Sequence, residues 1–400
     1  MSQIESVPEG GEIQYGFDEL FFSRTDAAGR IQFGNNVFQR VSIYSWDELI
    51  GKPHKIVRHP DTPRAVFWLL WKNLQEGRPI GAYVKNRAKD GRYYWVFAIA
   101  TPIEGGYISV RLKPSSPLFA SIKQEYANFV AAERRGLSPE ESANAVAERL
   151  QQLGFPDYFA FMTAALSAEL AARDEKLGHR PDIVVRAFDE VRASSQNLLQ
   201  HADSIAEAYA DSENVPFNFR VLAAQLGDAG AAIGVISGNY SQLSAEMKGA
   251  LDQFVRSARD LRRTVEEGAF LTCVARVQRE MEEGFRQEKK PETEFEMSLL
   301  SLQQRTYTAK ARRGLEDISH TAEIFARSCG EMTRLAAGLE VTRIMGKVEC
   351  ARHAQVSDRL GELLSGLEVF QRVVSTALKE IDTNNGCIRD HAKRLLDAVA

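Results

Sequence analysis

Arg58, His59 and Asp61 stand in one short run, Gly51-Lys-Pro-His-Lys-Ile-Val-Arg-His-Pro-Asp-Thr-Pro63, beside the aromatic stretch Ala65-Val-Phe-Trp-Leu-Leu-Trp71. A permanent cation, an imidazole and a carboxylate next to flat apolar rings suit an anionic aromatic ligand, with the guanidinium facing its charge and the rings its plane. A companion segment, Val84-Lys-Asn-Arg-Ala-Lys-Asp-Gly-Arg-Tyr-Tyr-Trp95, adds Asn86, whose carboxamide both donates and accepts. The alternative for Arg58, His59 and Asp61 is a loop that satisfies only itself, and for Trp68 and Trp95 it is core packing. Reaction chemistry is not legible. There is no Gly-rich phosphate loop, no kinase or cyclase signature and no nucleophile with a partner base, so an enzyme is not expected. Cys273, Cys329, Cys350 and Cys387, like the histidines at 179, 201, 320, 353 and 391, follow no metal-ligand spacing. Buried thiols and no zinc site are predicted.

The elements that position these groups read as an α+β domain. Three prolines keep Gly51–Pro63 out of an ordinary helix and make it a rigid loop. Short strands are predicted at Leu20–Thr25 and Arg30–Phe33, followed by short helices at Asn35–Ser42 and Ser45–Ile50. Ser45 and Glu48 form a capping box, and Gly51 ends that helix. A helix over Pro63–Gln75 precedes strands Ile80–Asn86, Tyr93–Thr101 and Tyr107–Leu112, the first two joined by a turn at Asp90-Gly91. The sum is a five-stranded antiparallel sheet holding its helices on one face.

The chain is 400 residues long, 44% apolar and carries a formal charge of -4, enough for two or three units with real cores. Dispersed basic residues argue against a nucleic-acid face. No apolar run reaches membrane-spanning length and the N-terminus lacks signal-peptide character, so a cytoplasmic protein without a transmembrane segment is expected. All four tryptophans and ten of the thirteen prolines precede residue 160. The expected organisation is a loose tail at 1–16, the α+β domain at 17–114, a helical connector at 115–180 and an all-α bundle or coiled coil at 181–400. In the connector, Ser138 with Pro139 starts one helix and Leu153–Asp157 separates two. In the bundle, Leu251, Phe254, Ala258, Leu261 and Val265 form one seam, and Leu360, Leu364, Leu367, Gln371, Val374, Leu378 and Ile381 another. Such seams pack against further helices, and a homodimer is expected to supply them.

The ordered motifs from Gly51 to Pro63, Phe67 with Trp71, Val84 to Trp95, and Ser109-Val-Arg111 resemble the flavin-binding PAS domain of the bacterial aerotaxis receptors. That resemblance implies non-covalent FAD as a redox or oxygen reporter. Carried over by position, it implies Asn35, Arg58, His59, Asp61, Phe67, Trp71 and Asn86 as cofactor-binding residues. Ile80 stands where the family usually carries Trp. Two further stretches resemble the hairpin tip of chemoreceptor signalling domains. In Asn218 to Ser244, the positions Asn218, Leu222, Leu226, Val235, Ile236 and Leu243 fit the pattern, and in Met345 to Arg352, Glu349 and Arg352 do. The implied partners are a chemotaxis histidine kinase and its coupling protein. Glu266-Glu267 and Glu282-Glu283 lack the small flanking residues of receptor methylation sites, so methylation is not expected. Two other readings stay open: haem in the same cavity for gas sensing, which needs an axial histidine, and a cofactor-free scaffold for dimerisation and docking.

Overall fold

The computed structural model describes residues 11–225, 230–288, 291–352 and 357–399, without the side chains of 288, 291, 350, 357–360, 398 and 399. The chain divides into two compact units, 1–186 with 269–311, and 187–268 with 312–400. This differs from a single bundle over 181–400, because residues 269–311 fall in the same unit as the α+β domain.

In the first unit, β1 (Phe21–Asp26), β2 (Ile31–Gly34), β3 (Ile80–Arg87), β4 (Tyr93–Ile103) and β5 (Gly106–Leu112) form an antiparallel sheet in the order β2-β1-β5-β4-β3. One face carries α1 (Asn36–Ser42), α2 (Trp46–Leu49), a 3-10 turn at His54–Val57 and α3 (Arg64–Gln75). Pro63 cannot cap α3 with its side chain, and the buried Glu133 of α4 (Pro117–Arg134) does so from across the fold. Its carboxylate accepts from the Arg64 and Ala65 backbone N–H groups at 2.8 and 3.0 Å. The connector comprises α4, α5 (Pro139–Gln152) and α6 (Tyr158–Leu177), with Ser138 and Glu141 closing a capping box on α5.

Strand residues alternate between faces, and the face turned away from α3 is also covered. Tyr83 stacks on Phe119 of α4 at 5.4 Å, and the Gly81 N–H reaches the Met162 sulfur of α6 at 3.3 Å. Parts of α9 (Ala231–Glu288) and α10 (Glu294–Arg352) complete this cover. Phe22 meets Phe285 edge-on at 5.2 Å, and Thr101 Oγ1 donates to Gln303 Oε1 at 2.7 Å. Arg24 Nε lies 2.9 and 3.0 Å from the two carboxylate oxygens of Glu296, a side chain only 2% exposed. The fully buried Glu169 of α6 accepts from Tyr83 Oη at 2.8 Å, from Ser116 Oγ at 2.6 Å and from the backbone N–H groups of Ser115 and Ser116.

The expected loose tail is ordered where it is described. The Ile13 N–H donates to the Tyr93 carbonyl at 2.8 Å, and the buried Tyr15 donates its hydroxyl to the Trp95 carbonyl at 2.5 Å. Residues 1–10 lie outside the described residues.

The second unit is an up-down bundle of α7 (Ile183–Ser212) with α8 (Val215–Gln225), the first part of α9, the second part of α10, and α11 (Ser357–Val399). The long helices contain no proline after their first turn, so nothing interrupts their hydrogen bonding. The two seams are buried within one chain: Phe254 stacks on Phe325 at 4.5 Å, Tyr209 meets Phe370 at 6.3 Å, and Leu251, Leu261, Leu364, Leu367 and Ile381 are all buried. Gln371, the polar seam member, is half-buried and accepts from Arg343 at 2.7 Å. Leu360 is a seam position whose side chain lies outside the described residues. The stretch Asn218 to Ser244 includes parts of α8 and α9, with residues 226–229 outside the described residues, and Met345 to Arg352 ends α10. Cys273 and Cys329 are buried, Cys387 is half-buried, and the Cys350 side chain and His353 lie outside the described residues.

Replacing Arg24 by Met strands the buried Glu296 carboxylate and is expected to cost about 3 kcal/mol. Urea unfolding of Arg24→Met, compared with Arg24→Met/Glu296→Leu, checks this: the single variant unfolds at lower urea and the double variant recovers most of the loss.

Candidate functional site

A cavity of about 370 Å³ lies between the sheet and α3. Half-buried Phe67 and Trp71, with Leu70 and Leu74 of the same helix, form one wall; Val84, Ala98 and Ala100 form the sheet floor. Small floor residues leave the space that larger ones would fill. Gly29, in the β1 to β2 turn, has a φ of +74° and lies so close that a Cβ there would sit 2.9 Å from the Trp71 ring, so glycine is required twice over.

Two guanidiniums enter this space. Arg58 leaves the 3-10 turn with extended backbone and pairs with Asn86 of β3 through an isolated antiparallel bridge. Its guanidinium lies over the Phe67 ring, 3.4 Å from the centroid, a favourable cation–π contact. Arg111, on β5, is buried; one terminal nitrogen is shared between Ser23 Oγ and His54 Nε2, both at 2.8 Å. Arg58 Nε and the other terminal nitrogen of Arg111 are buried without a hydrogen-bond partner among the described residues. Among the described residues, no carboxylate lines the cavity. Burial alone lowers the Arg58 pKa, and burial pulls Arg111 down to about 10. Both remain cations at neutral pH. The Asn86 carboxamide also lines the cavity, with no side-chain hydrogen bond among the described residues.

Of the residues carried over from the motif, Arg58, Phe67, Trp71 and Asn86 converge on this cavity, while Asn35, His59 and Asp61 do not line it. Asn35 is buried and fully engaged with backbone: its Oδ1 accepts from Phe22 and Phe38 N–H at 2.9 and 3.2 Å, capping α1, and its Nδ2 donates to the Leu20 carbonyl at 2.8 Å. His59 accepts on Nδ1 from the Asp61 N–H at 3.1 Å, and Asp61 pairs with Lys85 Nζ at 2.8 Å. Thr62 adds a hydrogen bond to the Lys85 carbonyl at 2.8 Å. These groups fasten the loop to β3 and so aim Arg58. His54 and Arg111, not singled out from the sequence as binding residues, carry the second charged corner. Their signal was present, since both lie inside the quoted motifs.

Trp95 is buried against Phe119 and Tyr126, as core packing predicts. Trp68 departs from that expectation, being half-buried beside a surface groove. Ile80 is 1% exposed on β3 and lies outside the cavity lining. Among the described residues no group of His, Cys, Asp and Glu is placed to hold a metal ion, and no helix is long and apolar enough to cross a membrane.

Residues 32–110 match the family model described as the PAS fold. Over 114 residues the chain is 41% identical to the aerotaxis receptor of Escherichia coli (strain K12), covering 27% of this chain and 22% of that protein. It is 31% identical over 81 residues to the nitrogen fixation regulatory protein of Klebsiella pneumoniae, covering 20% of this chain and 16% of that one. Among solved structures, the light state of the blue-light photoreceptor Aureochrome1 LOV aligns with 20% identity and a TM-score of 0.23, covering 28% of this chain and 90% of that chain. The chain therefore carries a PAS domain similar to that of the aerotaxis receptor, and it spans about a fifth of the length of the curated relatives it matches.

His54 is held down to about 3, first by burial and then by the charges of Arg111 and Arg58; His59 is held down to about 4, first by burial and then by Lys85. Both ordinarily titrate at about 6.5, so below that pH the unfolded chain takes up protons that the folded chain refuses, and stability falls. Stability is expected to decline from about pH 6.5 towards pH 4. Unfolding midpoints across this range should decline less steeply in His54→Gln, and proton NMR of the wild type should show His54 untitrated at pH 5.

Proposed function

We propose that the PAS domain holds FAD non-covalently and that the protein is a cytoplasmic redox or oxygen sensor of bacterial signal transduction, without enzymatic activity of its own. The observation that carries this reading is a pair of guanidiniums, Arg111 buried and Arg58 half-buried, each with one buried nitrogen unpartnered among the described residues, in an aromatic-walled cavity that no carboxylate among those residues lines. A cation without a counter-ion in such a place is costly, and an anionic flat ligand relieves it. The resemblance to the aerotaxis receptor points the same way.

When bound, a flavin supplies a reversible redox couple whose reduced ring carries negative charge. Arg111 would face that charge, Arg58 at the cavity opening would face the flavin phosphate, Asn86 would orient a polar ring edge by donating and accepting, and Phe67 with Trp71 would shield the plane from water. Arg111 also donates to Ser23, and the next residue, Arg24, holds Glu296 on the opposite face of the sheet. Any movement of Arg111 towards added charge therefore strains the strand that grips the helical segment 269–311. In this reading the bundle carries the output. Phe217 on α8, Val235 on α9 and Val341, Ile344 and Val348 on α10 are exposed, apolar surface that suits docking of the kinase and coupling protein implied by the chemoreceptor resemblance. A homodimer is not needed to fill the seams, which one chain buries by itself.

Haem is a weaker fit. His54 Nε2 already accepts from Arg111 at 2.8 Å, and His59 accepts from a backbone N–H outside the cavity. A cofactor-free scaffold would leave both guanidinium nitrogens unsatisfied.

The visible spectrum of the purified protein tests the proposal. Two flavin bands bleached by dithionite are expected, with flavin content reduced about tenfold or more in Arg58→Ala and Asn86→Ala, each of which removes roughly 1.5–3 kcal/mol of ligand contact. A sharp Soret band would establish haem instead, and a colourless protein that refuses added FAD would leave the scaffold.

A further inference from the structure

Outside the cavity, α3 carries a second set of groups. Arg64, Trp68, Lys72 and Gln75 follow one another at helical spacing and line an open groove of about 670 Å³, which shares Arg58, Phe67 and Trp71 with the inner cavity. The inner cavity alone is at the small end of ligand pockets, which run from roughly 300 to 1,000 Å³. The groove therefore continues the cavity to the surface past a guanidinium that faces both.

Its chemistry is that of a nucleotide. Trp68 offers a half-buried ring beside the opening, and Lys72 Nζ lies 4.8 Å from its centroid with no ion pair among the described residues. The one acidic side chain of the groove, Glu76, is paired with Arg78. Arg64 is tied to α4 through the Glu133 carboxylate and the Leu137 carbonyl. Arg58 and Lys72 are thus the cations left to meet phosphate, and Trp68 the ring left to meet a base. A ligand ending at its first phosphate would reach Arg58 and leave Trp68 and Lys72 without a role.

We propose that this groove seats the nucleotide half of a dinucleotide, Trp68 serving as the stacking surface for the base, with Arg58 and Lys72 facing the pyrophosphate. The proposal rests on the flavin reading above and specifies that FAD is selected over shorter flavins by residues outside the cavity. Arg64 and Lys72 are exposed and Trp68 half-buried, so their replacement leaves the core intact.

Titration of the full-length apoprotein with FAD and with riboflavin, followed by flavin fluorescence, tests this directly. Base stacking on an aromatic side chain adds measurably to affinity, so FAD is expected to bind at least about fivefold more tightly than riboflavin. Trp68→Ala and Lys72→Glu should each remove most of that preference while leaving riboflavin affinity within about twofold, since neither touches the inner cavity. Equal affinity for FAD and riboflavin in the wild type, or equal weakening of both ligands in the variants, would overturn the groove assignment while leaving the cavity reading standing. Failure of both ligands to bind would overturn the flavin reading and the groove assignment together.

Discussion

Two guanidiniums at one cavity, Arg111 buried and Arg58 half-buried, without a carboxylate among the described lining residues to answer them, set the terms for the rest of the PAS domain. An Arg does not escape burial by losing its proton at neutral pH, so the structure must either supply an anion or carry the cost. Arg58 is aimed by a proline-rich loop clamped to β3 through His59, Asp61 and Thr62. Arg111 is held by Ser23 and by a histidine kept neutral, so that its ring nitrogen accepts rather than adding a third charge.

The sheet joins this corner to the helices through strand alternation alone. Along β1, Ser23 and Thr25 line the cavity while Phe22 and Arg24 meet α9 and α10. Along β4, Ala98 and Ala100 line the cavity while Thr101 meets Gln303. Adjacent residues thus belong to different environments, and a one-residue shift in register would exchange them. Helices packed on both faces make such a shift expensive, which gives the sheet a defined response to events on either side.

Much of this was legible in the chain. The strands, the Ser45 and Ser138 caps, the Asp90-Gly91 turn and the convergence of Arg58, Phe67, Trp71 and Asn86 follow from local chemistry and a strong family motif. The motif did not separate residues that meet the cavity from residues that build it. Asn35 belongs to the motif because three backbone groups need its amide, and Asp61 because Lys85 needs its carboxylate. Helical periodicity announced the seams at Phe254 and Leu367, but periodicity states that a face is buried and not against what. Neither the docking of residues 269–311 on the sheet nor the closure of the bundle within one chain is written in any local pattern.

The placement of residues 269–311 also sets the order in which the chain matures. Strands that precede residue 113 present Phe22, Arg24 and Thr101 on a surface whose partners on residues 285–303 are translated only after more than a hundred further residues. A nascent chain emerges vectorially and its early segments fold first. The surface formed by Phe22, Arg24 and Thr101 consequently gains this part of its cover only once residues 285–303 have been made.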